Sequence, residues 1–329
     1  IMKKLKVGIW NNNKMNILNK FLLIIIFAIS LYVVFLILSD FKQVYEKFYM
    51  LKSEYLLPII ILAPSSWLIL FLRWHLLLKN SNINIPKKES LKINLAGYAL
   101  SITPGKVGEF FKAHFMKTKF GVPQKQIIPI VVAEQFYTLL GLTLVGIIGI
   151  WYFEFGLYVM VITASIVILA FITLSSSFVF QKFTKLVPKI PFLSKYAEPI
   201  VESRSIIKAS LRGKIFFYAT ALSFLFWMVE SIIVYFVVLS FDLTMEFFNV
   251  TSIYATSIIL GVVSFLPLGI GVVEGSLAGF FTIHGIDMST ALILVIMIRI
   301  FTRWYGVSVG LVALKLVGGF SMKNTNPKA

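Results

Sequence analysis

Eight ionisable side chains stand inside otherwise apolar runs or their breaks: Arg73, Lys106, Glu109, Glu134, Glu230, Glu274, Arg299 and Arg303. A charge at the centre of a bilayer-spanning helix costs about 3 kcal/mol or more, so these groups are expected to face one another rather than lipid. Arg299 and Arg303 are four apart and share a helical face. With Lys106 at a helix break they form a cradle for a phosphate diester, aided by free amides at a half-helix amino end. Glu109, Glu134, Glu230 and Glu274 then hold the cations when no ligand is bound, or exchange with a cationic head group or protons. Plainer roles compete: Arg73, near the end of its run, snorkels to the interface, and Glu109 and Glu274 cap the helices that follow the breaks. No catalytic, metal or cofactor site is expected, because there is no cysteine, His75, His114 and His284 are scattered, and the loop acids do not cluster.

The elements that carry these charges belong in a bilayer. The chain has 329 residues, 58% of them apolar and 14% charged, with mean hydropathy +0.89, outside the range of ordinary soluble domains. Six runs are long enough to cross: about 20–39, 56–78, 126–151, 156–181, 214–240 and 288–316. The net charge of +17 falls in the loops between them, so it reads as a topology signal facing anionic lipid, not as a nucleic-acid surface. The loop from Lys182 to Lys214 holds an amphipathic stretch, about 194–212, suited to the inner leaflet.

Two stretches differ. From Lys88 to Met116 an apolar helix is interrupted at Thr103-Pro104-Gly105-Lys106-Val107-Gly108-Glu109, and from Phe247 to Ile283 another is interrupted at Pro267-Leu268-Gly269-Ile270-Gly271-Val272-Val273-Glu274-Gly275. Proline removes a donor and glycine admits unusual dihedrals, so Pro104, Gly105, Gly108, Pro267, Gly269 and Gly271 are the expected helix breaks. If both broken elements are re-entrant, 24 of the 31 Lys and Arg, Lys112 among them, lie on the cytoplasmic side with both termini. The predicted architecture is therefore an all-α polytopic membrane protein with about six full transmembrane helices and two re-entrant broken-helix hairpins. A tail at 1–19 precedes a single transmembrane domain at 20–320, and a second tail follows at 321–329.

An offset near 165 relates Glu109 to Glu274, Glu134 to Arg299, Thr138 to Arg303 and Gly141 to Gly306. Crossing parity makes the halves, about 56–151 and 214–316, an inverted repeat, an arrangement that recurs in transporters. Gly141, Gly146 and Gly149 suit close helix packing, within one chain or in a homodimer.

The two motifs, Ile102-Thr103-Pro104-Gly105-Lys106-Val107-Gly108-Glu109 and Leu266-Pro267-Leu268-Gly269-Ile270-Gly271-Val272-Val273-Glu274-Gly275, followed by Arg299 in the last long helix, resemble the lysylphosphatidylglycerol synthase transmembrane-region family over about residues 20–320. The resemblance implies a helical integral membrane protein linked to translocation of lipid or lipid-linked sugar, with one motif in each re-entrant hairpin. Glu134 matches the family's acidic position after the first motif. Gln135 stands where an Arg often follows, and Thr138 replaces a further acid. Aminoacyl transfer in two-part members uses an additional soluble domain, so no such synthesis is expected of this chain alone. The leading expectation is a flippase-like lipid translocator of the cell membrane, moving a phospholipid or lipid-linked saccharide whose anionic phosphate head group is the partner. The alternatives are a membrane subunit presenting a lipid phosphate to a partner transferase, and a small-solute or ion secondary transporter.

Overall fold

The computed structural model describes residues 51–103, 108–149, 154–186 and 197–318. The expected first span at 20–39, both tails, and Pro104, Gly105 and Lys106 lie outside those residues. Among the described residues the structure is helical, without strands: α1 Leu56–Asn80, α2 Lys87–Leu100, α3 Phe111–Phe120, α4 Gln124–Ile148, α5 Glu154–Ser175, α6 Ser177–Leu186, α7 Ala197–Ser210, α8 Gly213–Ser240, α9 Phe247–Val263, α10 Val272–Ile283, α11 Met288–Arg299 and α12 Tyr305–Leu316. A π-helical turn, Ile300–Trp304, joins the last two.

Five of these helices, counting α11 to α12 as one, are long and apolar enough to cross a membrane: Ser53–Asn80, Gln124–Ile148, Glu154–Ser175, Gly213–Ser240 and Met288–Leu316. They match five of the six expected runs. The run expected to reach residue 181 ends at Ser175, because the Ser176 hydroxyl accepts the Val179 N–H and starts α6. Large apolar side chains such as Ile61, Ile162, Leu169 and Phe217 are exposed, as hydrocarbon-facing positions require. Below the basic loop, α7 packs on α4: Ile207 and Leu211 are buried and the Tyr137 hydroxyl donates to the Ser210 carbonyl at 2.6 Å. The amphipathic stretch thus turns its apolar side to protein.

The order long helix, short helix, break, short helix, long helix occurs twice, in α1 to α4 and in α8 to α12. The equivalent helices α1 and α8 run antiparallel, since Lys52 meets Ser240, Ser66 meets Glu230, and Arg73 meets Ser223. The halves are therefore inverted. Their joints repeat in detail. Each first connection has a left-handed second residue, Asn82 (φ 57) and Asp242 (φ 59). Each broken pair is followed by a left-handed glycine, Gly121 (φ 67) and Gly285 (φ 88), which lets the chain leave a helix while its last carbonyls stay bonded.

The short helices fold into hairpins. With 14 and 10 residues, α2 and α3 reach only about 21 and 15 Å at 1.5 Å per residue. They run antiparallel, with Lys112 near Asn94 and Lys119 at 3.3 Å from Glu89. In the second hairpin Gly261, near the end of α9, lies against Gly269 and Val273. That break begins at Ser264, ahead of Pro267, with Phe265 (φ 54) and Leu268 (φ 53) left-handed. Helix resumes at Val272, so Val272 to Gly275 are helical and not part of the interruption.

Gly141 of α4 sits on α8, where a Cβ would lie 2.6 Å from the Ser223 backbone; Gly146 lies against Met160 and Ala255, and Gly149 against Phe248 and Ser252. All three glycines are thus occupied by their own chain. Gly141→Ala is expected to cost about 1–3 kcal/mol through forced displacement and to lower the thermal midpoint in detergent. Gly279→Ala, where a Cβ meets nothing within 4 Å, should leave that midpoint unchanged or raise it slightly.

Candidate functional site

Among the described residues, six of the expected interior charges, joined by Lys112, gather into three ion-pair clusters between helices. In the first, Lys112 of α3 is buried, with Nζ 3.0 Å from Glu134 of α4, 3.9 Å from Glu109 and 3.1 Å from the Asn94 side-chain oxygen, over the Trp74 ring. The Gln135 amide donates to Glu109 at 2.8 Å. Lys112 was expected on the cytoplasmic side with Lys117 and Lys119. It lies on the inner face of α3, where leaving Glu109 and Glu134 without a cation would cost several kcal/mol. Glu109 accordingly has an ionic partner rather than a capping role alone.

The second cluster closes the second break. Arg299 Nε lies 2.8 Å from Glu274 Oε1, both nearly inaccessible. Glu274 Oε2 accepts the Gly271 N–H at 2.7 Å, and Arg299 donates to the Leu268 carbonyl at 2.9 Å. Glu274 thus caps α10 as expected, while Arg299 clamps the left-handed Leu268, whose conformation costs a non-glycine residue about 1–2 kcal/mol.

The third cluster lies between the halves. Arg303 donates to Glu230 at 3.1 Å and to the Tyr98 and Tyr254 hydroxyls at 3.3 and 3.4 Å. Tyr254 donates to Glu230 at 2.9 Å, and the Ser66 hydroxyl, 3.2 Å from Glu230, shares its proton with the Ala63 carbonyl at 2.9 Å. The Arg303 guanidinium stands 5.7 Å over the Trp227 ring, a cation–π contact. Arg299 and Arg303 therefore do not form one cradle. The π turn between them replaces the i, i+4 register with wider winding, and the two guanidinium groups face different partners.

Arg73 does not snorkel. It is 3% exposed, and it donates to Ser223 at 2.8 Å and Thr138 at 2.9 Å. Sequence reasoning with one offset missed Lys112, Ser66, Ser223, Tyr98 and Tyr254, and read Arg73 as an end residue. The signal was a second offset: Ser66 to Ser223 and Arg73 to Glu230 are 157 apart, and Tyr98 to Tyr254 is 156 apart. The value grows to 165 by Thr138 and Arg303, in part because α9 has 17 residues against 14 in α2 and α10 has 12 against 10 in α3. Lys106 is outside the described residues, as are Pro104 and Gly105. Gly108 packs on the Leu100 carbonyl, where a Cβ would lie 2.0 Å away, and donates to the Thr103 hydroxyl.

A polytopic helical membrane protein whose two inverted halves, each with a broken hairpin, meet across a buried ionic layer is the class this architecture defines. The chain matches the family described as lysylphosphatidylglycerol synthase TM region over residues 23–310, and it belongs to that family. It is similar to a protein named UPF0104 membrane protein from Methanothermobacter thermautotrophicus, 22% identical over 324 residues, covering 90% of this chain and 95% of the relative. A second UPF0104 membrane protein from that organism is 26% identical over 144 residues, covering 40% of this chain and 42% of the relative.

Removing Arg299 would leave Glu274 charged and buried, so Arg299→Ala should destabilise by about 3–5 kcal/mol. Arg299→Met combined with Glu274→Gln should recover much of that loss. Denaturation of the single and double variants in one detergent measures the coupling.

Proposed function

We propose that this protein is a lipid translocator of the cell membrane, in which the inverted halves expose a charged midplane site to one leaflet and then the other. The observation that carries this reading is the Arg303–Glu230 pair, set between the halves and surrounded by hydroxyls from α1, α2 and α9. A phosphate-bearing head group supplies oxygen atoms that take the place of Glu230 on Arg303, Glu230 taking up a proton as it is displaced and releasing it when the head group departs and the pair re-forms. Both states keep the guanidinium neutralised in low dielectric. The antiparallel α2–α3 hairpin fits a re-entrant element, because α2 and α3 are each too short to span. Lys79, Lys87, Lys88, Lys117, Lys119, Lys125 and Lys214 lie at or near the helix ends on the face where Asn80 meets Ala209. The positive charge of that end supports its placement on the cytoplasmic side.

One observation favours a second reading. The Glu230 side chain is 1% exposed and that of Arg303 13%, a sealed centre that also suits a small-solute or ion transporter.

Proteoliposomes carrying a fluorescent phosphatidylglycerol, with dithionite to bleach the outer leaflet, discriminate the two readings. The wild type should expose inner-leaflet lipid at a rate at least tenfold above protein-free vesicles, and Arg303→Ala should abolish the excess. A folded wild type that moves no lipid but collapses an imposed ion gradient would transfer the assignment to the second reading.

A further inference from the structure

The two halves of the central layer have the same geometry and different charges. In the second half Glu230 on α8 is bonded by Ser66 across the α1–α8 interface and by Arg303 on the last long helix. In the first half the equivalent position on α1 is Arg73, bonded to Ser223, the equivalent of Ser66, and to Thr138, the equivalent of Arg303. The pseudo-symmetric exchange replaces an acid with a base at the centre and an arginine with a neutral hydroxyl beside it. Glu230 thus has a counter-charge from its own chain, whereas among the described residues no carboxylate lies within ion-pair distance of Arg73. Glu134 and Glu109, the acids whose field reaches it, are both ion-paired with Lys112.

The hydrogen-bonding inventory gives the chemistry of the missing partner. The Ser223 hydroxyl donates to the Ala219 carbonyl at 2.6 Å and the Thr138 hydroxyl to the Glu134 carbonyl at 2.8 Å, so each uses its lone proton on its own helix. Arg73 Nε is buried without an acceptor. The remaining polar capacity at this fork is N–H donation from a full positive charge, which suits an oxyanion and excludes a cation or a hydrogen-bond donor. Thr138 is only half-buried, while Arg73 and Ser223 are buried, which makes the Thr138 side the approach. Trp227 connects the two halves of the layer: its indole N–H donates to the Thr138 carbonyl at 2.8 Å, and its ring lies under Arg303.

We propose that Arg73, with Thr138 and Ser223, is an oxyanion-binding site for a phosphate group, one tryptophan away from the Arg303–Glu230 pair. It rests on the translocator reading only for its role there, as the first-half station for the phosphate before or after Arg303. Binding itself does not depend on transport.

Thermal unfolding of the purified full-length protein tests the site with two probes, inorganic phosphate and dioleoyl phosphatidylglycerol in mixed micelles, with phosphatidylcholine as the neutral control. The wild-type midpoint should rise by about 5 °C near saturation with phosphatidylglycerol over the control. Arg73→Gln should lose that rise. Thr138→Glu, which places a carboxylate where the second half has its counter-ion, should raise the midpoint without ligand and also abolish the response. That variant keeps the test valid if Arg73→Gln does not fold. An equal rise with free phosphate would support the site and assign it to small oxyanions, and a rise with lipid alone would assign it to the head group. No rise in the wild type, or an undiminished rise in either variant, would overturn the site. The lipid-movement assay reports on the translocator reading separately: transport with no Arg73-dependent stabilisation removes only this site, and stabilisation without lipid movement removes only that reading.

Discussion

Charge in low dielectric must be answered by charge, and the arrangement of this bundle follows from that requirement. Glu230, Glu274, Glu134, Lys112 and Arg299 are nearly inaccessible, and Arg303 is largely so. Removing one partner of such a pair strands the other at a cost of several kcal/mol. Each pair also joins different helices: α3 to α4, α10 to α11, and α8 to the π turn. The ionic layer therefore fixes which helices are neighbours, while apolar packing around it supplies area without that selectivity. A bilayer strengthens the constraint, because helices gain little from exchanging lipid contacts for protein contacts, and polar pairing and close backbone approach carry more of the specificity.

The inverted repeat gives this constraint its form. Antiparallel α1 and α8 bring Ser66 to Glu230 and Ser223 to Arg73 with the same geometry. The flanking hairpins repeat as well, each tied to the following long helix through an acid just after its break, Glu109 bonded by Gln135 and Glu274 paired with Arg299. The chemistry is not repeated: Lys112 meets Glu134 in one half where Glu274 meets Arg299 in the other. Equal geometry with unequal charge gives the two halves different local fields, which a strictly symmetric pair would not have.

The second break shows how a backbone irregularity is held. Leu268 and Phe265 are left-handed without being glycine, a conformation that persists only where the surroundings over-determine it. Arg299 on the Leu268 carbonyl and Glu274 on the Gly271 amide supply that restraint. Satisfying these backbone groups from side chains lets irregular backbone exist within an apolar bundle.

Long apolar runs, helix-breaking Pro and Gly, and the order of elements are local properties, so the sequence alone established the helical membrane class, five described spans and the inverted halves. It also marked Glu109, Glu134, Glu230, Glu274, Arg299 and Arg303 as interior, because a charge in a long apolar run has few other places to go. Pairing was beyond it. Four-residue spacing put Arg299 and Arg303 on one face, but a π turn, visible only in the backbone, directs them to separate partners. Lys112 was indistinguishable from Lys117 and Lys119 until the α2–α3 hairpin set its face against Glu134. Arg73 resembled a snorkelling end residue until the α1–α8 crossing enclosed it. Which charges meet depends on how helices distant in sequence cross and rotate, and only tertiary packing sets those angles.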